Sequence, residues 1–294
     1  MARASVLFLP AFVPPVVNGF GSKNPVPRVA AFISDTPEGW LQPTSLQHGG
    51  LLAKRPFQGR FDEFDSHIDE AAERFEMFAR EGAALSATVV LNDGRGGVDE
   101  DFSTKLQDPV EALLARAALP EALNQQIRSN ACTMGKAVSS LCLSARKLSI
   151  KLEIFGDNSC SRWHQDQYVG RGIVSYTGAI GTEYTNDANV DFWELYNCGK
   201  NACVIRDPRQ VCSVDVGDFF FIKGSMYPRG AKGLIHKSPE VRYHPDGRVV
   251  NRLVLKVDVV ELPPPDNSPP EGDLTLRDDL IIIQDEIGDR GTVC

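Results

Sequence analysis

The chain has 294 residues, 42% of them hydrophobic and 24% charged, with a formal net charge of −8. These are ordinary globular values and leave room for a sizeable core. The negative balance argues against a nucleic-acid surface, which needs a basic stripe, but not against a small anion held in a locally positive pocket. No segment reaches the roughly 18 continuous apolar residues of a membrane span.

Residues 1–58 are rich in Pro and Gly and read as an arm wrapped over a core. The apolar run near Met1 is broken by Pro10, Pro14 and Pro15, with no small-x-small cleavage site after it, so a signal peptide is not the favoured reading. The seven cysteines are odd in number and include no C-x-x-C pair. They suggest neither a disulfide framework nor a zinc ribbon, and a cytoplasmic, reducing location is expected.

From Phe61 to Arg80 the apolar residues recur at three and four, as on a helix. Leu85 to Leu91 reads as a strand. Helices follow at Asp108–Ala118, with Asp108 as N-cap and Pro109 in the first turn, and from Pro120 to about Ala145. The texture then changes to short strands: Leu148–Phe155, Gly172–Thr177, Val190–Tyr196, Ala202–Ile205, Val211–Val214, Phe219–Ile222, Gly233–His236 and Arg252–Val260. Helices first and strands afterwards make an α+β protein whose β half is a sandwich or barrel. The domain reading is an N-terminal arm (1–58), one catalytic domain (59–262, helical over 59–147 and β over 148–262) and a Pro-rich tail (263–294).

Chemistry concentrates at Trp163-His164-Gln165-Asp166. On an extended chain His164 and Asp166 point to one side, and His236 can complete a set of three if the chain folds back. Two imidazoles and a carboxylate suit Fe(II), Mn(II) or Zn(II), and this set with open positions is that of non-haem iron oxygenases. An isolated H-x-D match is more often a core histidine beside a loop aspartate; the strand context around His236 improves the odds. Arg252 opens the last strand and can clamp a carboxylate in a bidentate pair, as an oxygenase needs for the distal carboxylate of 2-oxoglutarate. Arg242 and Arg248 compete for that role, although Arg248 adjoins an Asp-Gly turn and faces solvent on this reading. Lys151 and Glu153 lie opposite the apolar face of their strand, where a solvated position is favoured over a buried pair.

Five separated blocks carry a family likeness: Cys160–Asp166, Ser175–Glu183, Val216–Asp218 with Ile222–Gly224, Ile235–Pro239 and Arg252–Asp258. They resemble the domain of unknown function 1826 family, over roughly residues 85–260. Fungal relatives of that family include iron and 2-oxoglutarate oxygenases of secondary metabolism that turn valine-like amino acids into aziridine carboxylic acids. The likeness implies a double-stranded β-helix (jelly-roll, cupin-like) with the N-terminal helices packed on it. It also implies His164, Asp166 and His236 as iron ligands and Arg252 as the 2-oxoglutarate anchor. The family usually has Phe before the first ligand; here it is Trp163, which would alter the pocket wall.

The expected activity is Fe(II)/2-oxoglutarate-dependent oxidation of a C–H bond in a small molecule by O2, with hydroxylation or ring closure as outcomes. Substrate-binding candidates are Arg171, Tyr176, Glu183 and Trp163, with Glu153 as a partner for an ammonium group. Two alternatives stand beside this: a cupin-like dioxygenase or hydrolase that does not use 2-oxoglutarate, and a non-catalytic metal-binding barrel.

Overall fold

The computed structural model describes residues 30–54, 64–80, 85–91, 102–178 and 180–261. Among them, three longer helices precede most of the strands: α1 (Asp65–Arg80), α2 (Phe102–Ala117) and α3 (Glu121–Leu141). The strands are β1 (Ala31–Ser34), β2 (Gly50–Ala53), β3 (Ser86–Val90), β4 (Lys147–Phe155), β5 (Gly170–Ser175), β6 (Glu183–Thr185), β7 (Cys212–Ser213), β8 (Phe219–Lys223), β9 (Ile235–Lys237) and β10 (Arg252–Glu261). Two short helices, α4 (Phe192–Asn197) and α5 (Asn201–Val204), lie between β6 and β7.

Seven strands form one sheet in the order β1-β2-β8-β5-β10-β4-β3, and three form a second in the order β7-β6-β9. Except for the parallel β1–β2 pair, the pairings are antiparallel. A bridge between His164 and His236 extends the small sheet by one position. Residues 30–54, read as part of an arm, thus supply an edge of the large sheet.

Alternation sorts the large sheet into two faces. Leu148, Ile150 and Leu152 of β4, with Leu253, Leu255 and Val257 of β10, share a core with Ile68, Leu113, Ile127 and Met134 of the helices. Each such side chain contributes roughly 1.5–3 kcal/mol by leaving water. On the other face Ile173, Phe220, Ile222 and Val254 meet Tyr184, Val214 and Leu234 from the small sheet and its flanks. The two sheets therefore close on one another as a jelly-roll core, and the site is built on this inner face.

Several sequence expectations are corrected here. The span read as a strand at Val190–Tyr196 is largely α4, because the Asp191 carboxylate caps the N–H of Glu194 at 3.2 Å and starts a helix. The span read as a strand at Ala202–Ile205 is mostly α5. Helix α2 begins at Phe102, not at Asp108, and runs through Pro109. Burial of Leu106, Val110, Leu113, Leu114 and Ala117 on one stripe outweighs the lost donor. Cys160 is disulfide-bonded, whereas Cys132, Cys142, Cys198, Cys203 and Cys212 are free. The start of the predicted helix at Phe61 and the tail 263–294 lie outside the described residues. No helix among the described residues is long and apolar enough to cross a membrane.

The loop after Asp166 is fastened to the end of β8: Gly224 N–H donates to Val169 O at 3.1 Å and Ser225 N–H to Asp166 O at 2.9 Å. A Cβ on Gly224 would stand 1.8 Å from the Tyr168 carbonyl oxygen, so backbone would have to move. Gly224→Ala is expected to cost about 2 kcal/mol, seen as a melting temperature several degrees lower in a thermal denaturation. An unchanged melting temperature would show that the loop tolerates displacement.

Candidate metal centre

His164 and His236 exchange backbone hydrogen bonds, His164 N–H to His236 O at 3.0 Å and the reverse at 3.1 Å. Directly paired residues of antiparallel strands project to one side, and the two rings lie 4.4 Å apart between centroids. Two residues beyond His164, Asp166 turns to the same place. One of its oxygens is 3.7 Å from His164 Nε2 and the other 3.6 Å from His236 Nε2. One ligand atom from each of the three residues lies within 4.8 Å of the other two.

Each imidazole faces a backbone carbonyl with its other nitrogen: His164 Nδ1 lies 2.8 Å from Arg162 O and His236 Nδ1 3.0 Å from Leu234 O. A proton on Nδ1 satisfies both carbonyls and leaves both Nε2 lone pairs turned to the shared space. Burial, helped by His164 and Arg171, lowers the His236 pKa to about 4 against the opposing pull of Asp166, so this ring is neutral at neutral pH. Burial alone would raise the Asp166 carboxyl, but His236, Arg171, His164 and Lys256 together hold it below the usual range. A carboxylate at Asp166 and a neutral imidazole at His236 are the protonation states that a divalent metal requires of such ligands, and the nitrogen and oxygen donors of the set fit such an ion.

Behind Asp166 stands a charge chain. Arg171 donates from Nε to Asp258 Oδ1 at 2.6 Å, from Nη2 to Asp258 Oδ2 at 3.4 Å, and from Nη1 to Asp166 Oδ2 at 3.2 Å. Its guanidinium also lies 4.7 Å from the centre of the Tyr168 ring. Arg171 and Asp258 are register partners on β5 and β10. The same inner face carries Lys151, 4.0 Å from Asp258, and an ion pair between Lys256 and Glu153.

The residues singled out in the sequence fall into three places. Arg171 adjoins the triad as a brace between two carboxylates, and Glu153 lines the same face, paired rather than solvated. Glu183 pairs with Lys237 at 2.6 Å, and Lys237 lies 5.5 Å over the Trp163 ring, so both candidates sit on the side of the small sheet opposite His164 and His236. Tyr176 is buried toward the helices, where its hydroxyl accepts from Asn130 Nδ2 at 3.0 Å. The structure does not bring it to the triad.

Arg252 starts β10, six residues from Asp258 and so roughly 20 Å away along the strand. Its aliphatic stem lies against Gly178 and its guanidinium 5.9 Å from the Phe155 ring centre. With Arg242 it lines a pocket bounded by Phe155, Gly178 and Pro239. Burial lowers its pKa to about 10 despite Glu183, and none of its guanidinium N–H groups is taken up in a hydrogen bond or ion pair among the described residues. Arg248 is instead exposed and paired with Asp246 at 2.7 Å.

Asp258, Lys256 and Tyr168 escaped the sequence reading. The first two carried a signal: charges at alternate positions of an otherwise apolar strand must line an inner face if the strand is central. Replacing Arg171 by Met leaves two buried carboxylates facing each other, and the affinity for Co(II) or Mn(II) is expected to fall by roughly 10- to 100-fold. In Tyr176→Phe, by contrast, stability should drop by about 1 kcal/mol with metal affinity unchanged. Isothermal titration and chemical denaturation measure both; an Arg171 variant that binds metal as the parent does would remove the brace from the site.

No curated protein matches the chain. Likenesses to solved structures are remote. Dioxygenase for auxin oxidation 1 from Arabidopsis thaliana, in a 2-oxoglutarate complex, is 8% identical over 80% of this chain and 93% of that one, with a TM-score of 0.40. The rice dioxygenase for auxin oxidation is 14% identical over 74% of each chain, with a TM-score of 0.35. The Fe(II)/α-ketoglutarate-dependent dioxygenase TqaL is 9% identical over 76% of this chain and 84% of that one, also at 0.35. The family described as a protein of unknown function (DUF1826) matches residues 97–258, more than half of the chain and a span that holds His164, Asp166, Arg171, His236, Arg252 and Asp258. The chain belongs to the DUF1826 family.

Proposed function

We propose that this protein is a non-haem Fe(II)/2-oxoglutarate-dependent dioxygenase that oxidises a C–H bond of a small molecule. The observation that carries the reading is the convergence of His164, Asp166 and His236 on one space inside the jelly roll, with the nitrogens and oxygens of an oxygenase ligand set. Iron bound there with 2-oxoglutarate would supply the power to break a C–H bond, with O2 as oxidant and succinate and CO2 as co-products.

The chain's own residues have separable tasks on this reading. His164, Asp166 and His236 hold the metal, and Arg171 keeps the Asp166 carboxylate turned toward it. Arg252, a half-buried guanidinium that feels Glu183 at a distance but has no ion-pair partner among the described residues, takes the distal carboxylate of 2-oxoglutarate. Lys256 is a second cation on the same face, four residues nearer Asp258 and close enough to act on the Asp166 charge. That position favours Lys256 as an alternative anchor if its pairing with Glu153 opens.

For the substrate we propose an amino acid such as valine, as the family likeness implies, with hydroxylation or closure to an aziridine as the outcome. The inner-face pair Glu153–Lys256 offers charges of both signs to an ammonium and a carboxylate. Tyr168, 47% exposed beside Arg171, borders the approach to the centre.

Anaerobic protein mixed with Fe(II) and 2-oxoglutarate is expected to show the weak visible metal-to-ligand charge-transfer band of a chelated keto acid, and His164→Ala to lose it. Absence of the band in the parent protein would refute the assignment. Arg252→Ala should weaken 2-oxoglutarate binding by about 10- to 100-fold, as for loss of a charge-assisted pair, without changing iron affinity. If Lys256→Ala has that effect and Arg252→Ala does not, the anchor is Lys256. Succinate release across a panel of branched amino acids then tests the substrate class.

A further inference from the structure

A second group of metal-binding side chains lies outside the triad, on the α4–α5 turn. Glu194 and Cys198 are four residues apart and so share a helix face. Cys198 and Gly199 N–H groups both donate to Glu194 O, at 3.0 and 2.7 Å, which closes the helix. Gly199 then adopts φ +66°, a left-handed conformation that suits glycine. The reversal starts α5 almost at once and brings Cys203 back over the same spot. The two sulfurs and a Glu194 oxygen lie within 4.8 Å of one another. Both cysteines are free and exposed, and Glu194 is half-buried. Among the described residues no lysine or arginine forms an ion pair with Glu194. Two thiols and one carboxylate thus converge on one place at the surface.

We propose that Glu194, Cys198 and Cys203 form a surface site for a borderline-soft divalent metal of the Zn(II) class, with water completing the coordination. Two thiolates and one carboxylate are a donor set that such an ion accepts in tetrahedral geometry, whereas Mg(II) and Ca(II) prefer oxygen alone. The turn grips the segment that presents His164 and Asp166. Asn201 accepts from Trp163 N–H at 3.1 Å and donates to Ser161 O at 2.7 Å, Arg162 Nε donates to Gly199 O at 3.2 Å, and the Tyr196 hydroxyl donates to Gln165 at 2.9 Å. An ion clasped there fixes α4 to α5 and stiffens the segment from Ser161 to Gln165.

The site is independent of the proposed oxygenase activity, and the test keeps the two apart. Full-length protein carrying His164→Ala and His236→Ala, reduced and stripped of metal, is titrated anaerobically with Co(II) as a spectroscopic probe. A near-ultraviolet thiolate-to-cobalt charge-transfer band is expected, together with visible bands of tetrahedral intensity, and stoichiometric Zn(II) should displace both. Adding Cys198→Ser and Cys203→Ser should abolish the charge-transfer band. Glu194→Gln should keep the band at a higher midpoint, and Cys212→Ser should leave it unchanged. Circular dichroism checks that each variant is folded. No thiolate band in folded, reduced protein overturns the proposal, as does a band that survives loss of Cys198 and Cys203. A Cys198–Cys203 disulfide that forms when the reduced protein is exposed to O2 as oxidant in the presence of excess Zn(II), read by intact mass, would show a redox pair in place of a metal site and would equally overturn it.

Discussion

The charge chain Asp258–Arg171–Asp166 is the constraint on which the site depends. It places two carboxylates and one guanidinium inside a barrel, with side-chain exposures of only 7%, 13% and 9%. Such burial gains little stability over well-packed apolar residues, yet removing one member strands the others in a poor solvent. What the chain does secure is orientation: an Asp166 carboxylate held between two imidazoles. The register of β5 against β10 makes this possible, because Arg171 opposes Asp258 directly. A slip of one residue would put the two side chains on opposite faces of the sheet.

The same sheet therefore has two kinds of face. One is apolar and covered by α1, α2 and α3; the other carries Lys151, Glu153, Arg171, Lys256 and Asp258 among apolar neighbours and meets the small sheet. The helices take up the hydrophobic burial that holds the domain together, and this leaves the inner face free to carry charges. Backbone pairing of His164 with His236 then joins the triad across the small sheet. The link from Ser225 to the Asp166 carbonyl ties that triad to β8.

Much of this was legible in the chain. The alternation of Leu148 to Ile154 was visible, and so was the apolar periodicity of α1. The H-x-D spacing with a later histidine predicted which side chains would meet. The inner placement of Lys256 and Asp258 was not seen, because a charge on a strand reads equally as solvent-facing until the neighbouring strands are known. Glu153 illustrates the same limit: its partner Lys256 lies 103 residues away in sequence (256 − 153), on a strand whose register no local pattern reveals. The segment 190–205 was misread for a different reason. Phe192, Trp193, Leu195 and Tyr196 have strand-like composition, and a single cap at Asp191 decided for helix. Tyr176 followed the alternation of β5 faithfully, but which of the two faces held the site needed the helices in place.

The most direct test is anomalous diffraction from crystals of the full-length protein grown anaerobically with Mn(II) and 2-oxoglutarate. One strong manganese peak is predicted in bonding contact with His164 Nε2, His236 Nε2 and an Asp166 oxygen, with the other Asp166 oxygen still hydrogen-bonded to Arg171. A structure at full metal loading with no peak among these three side chains would contradict the account.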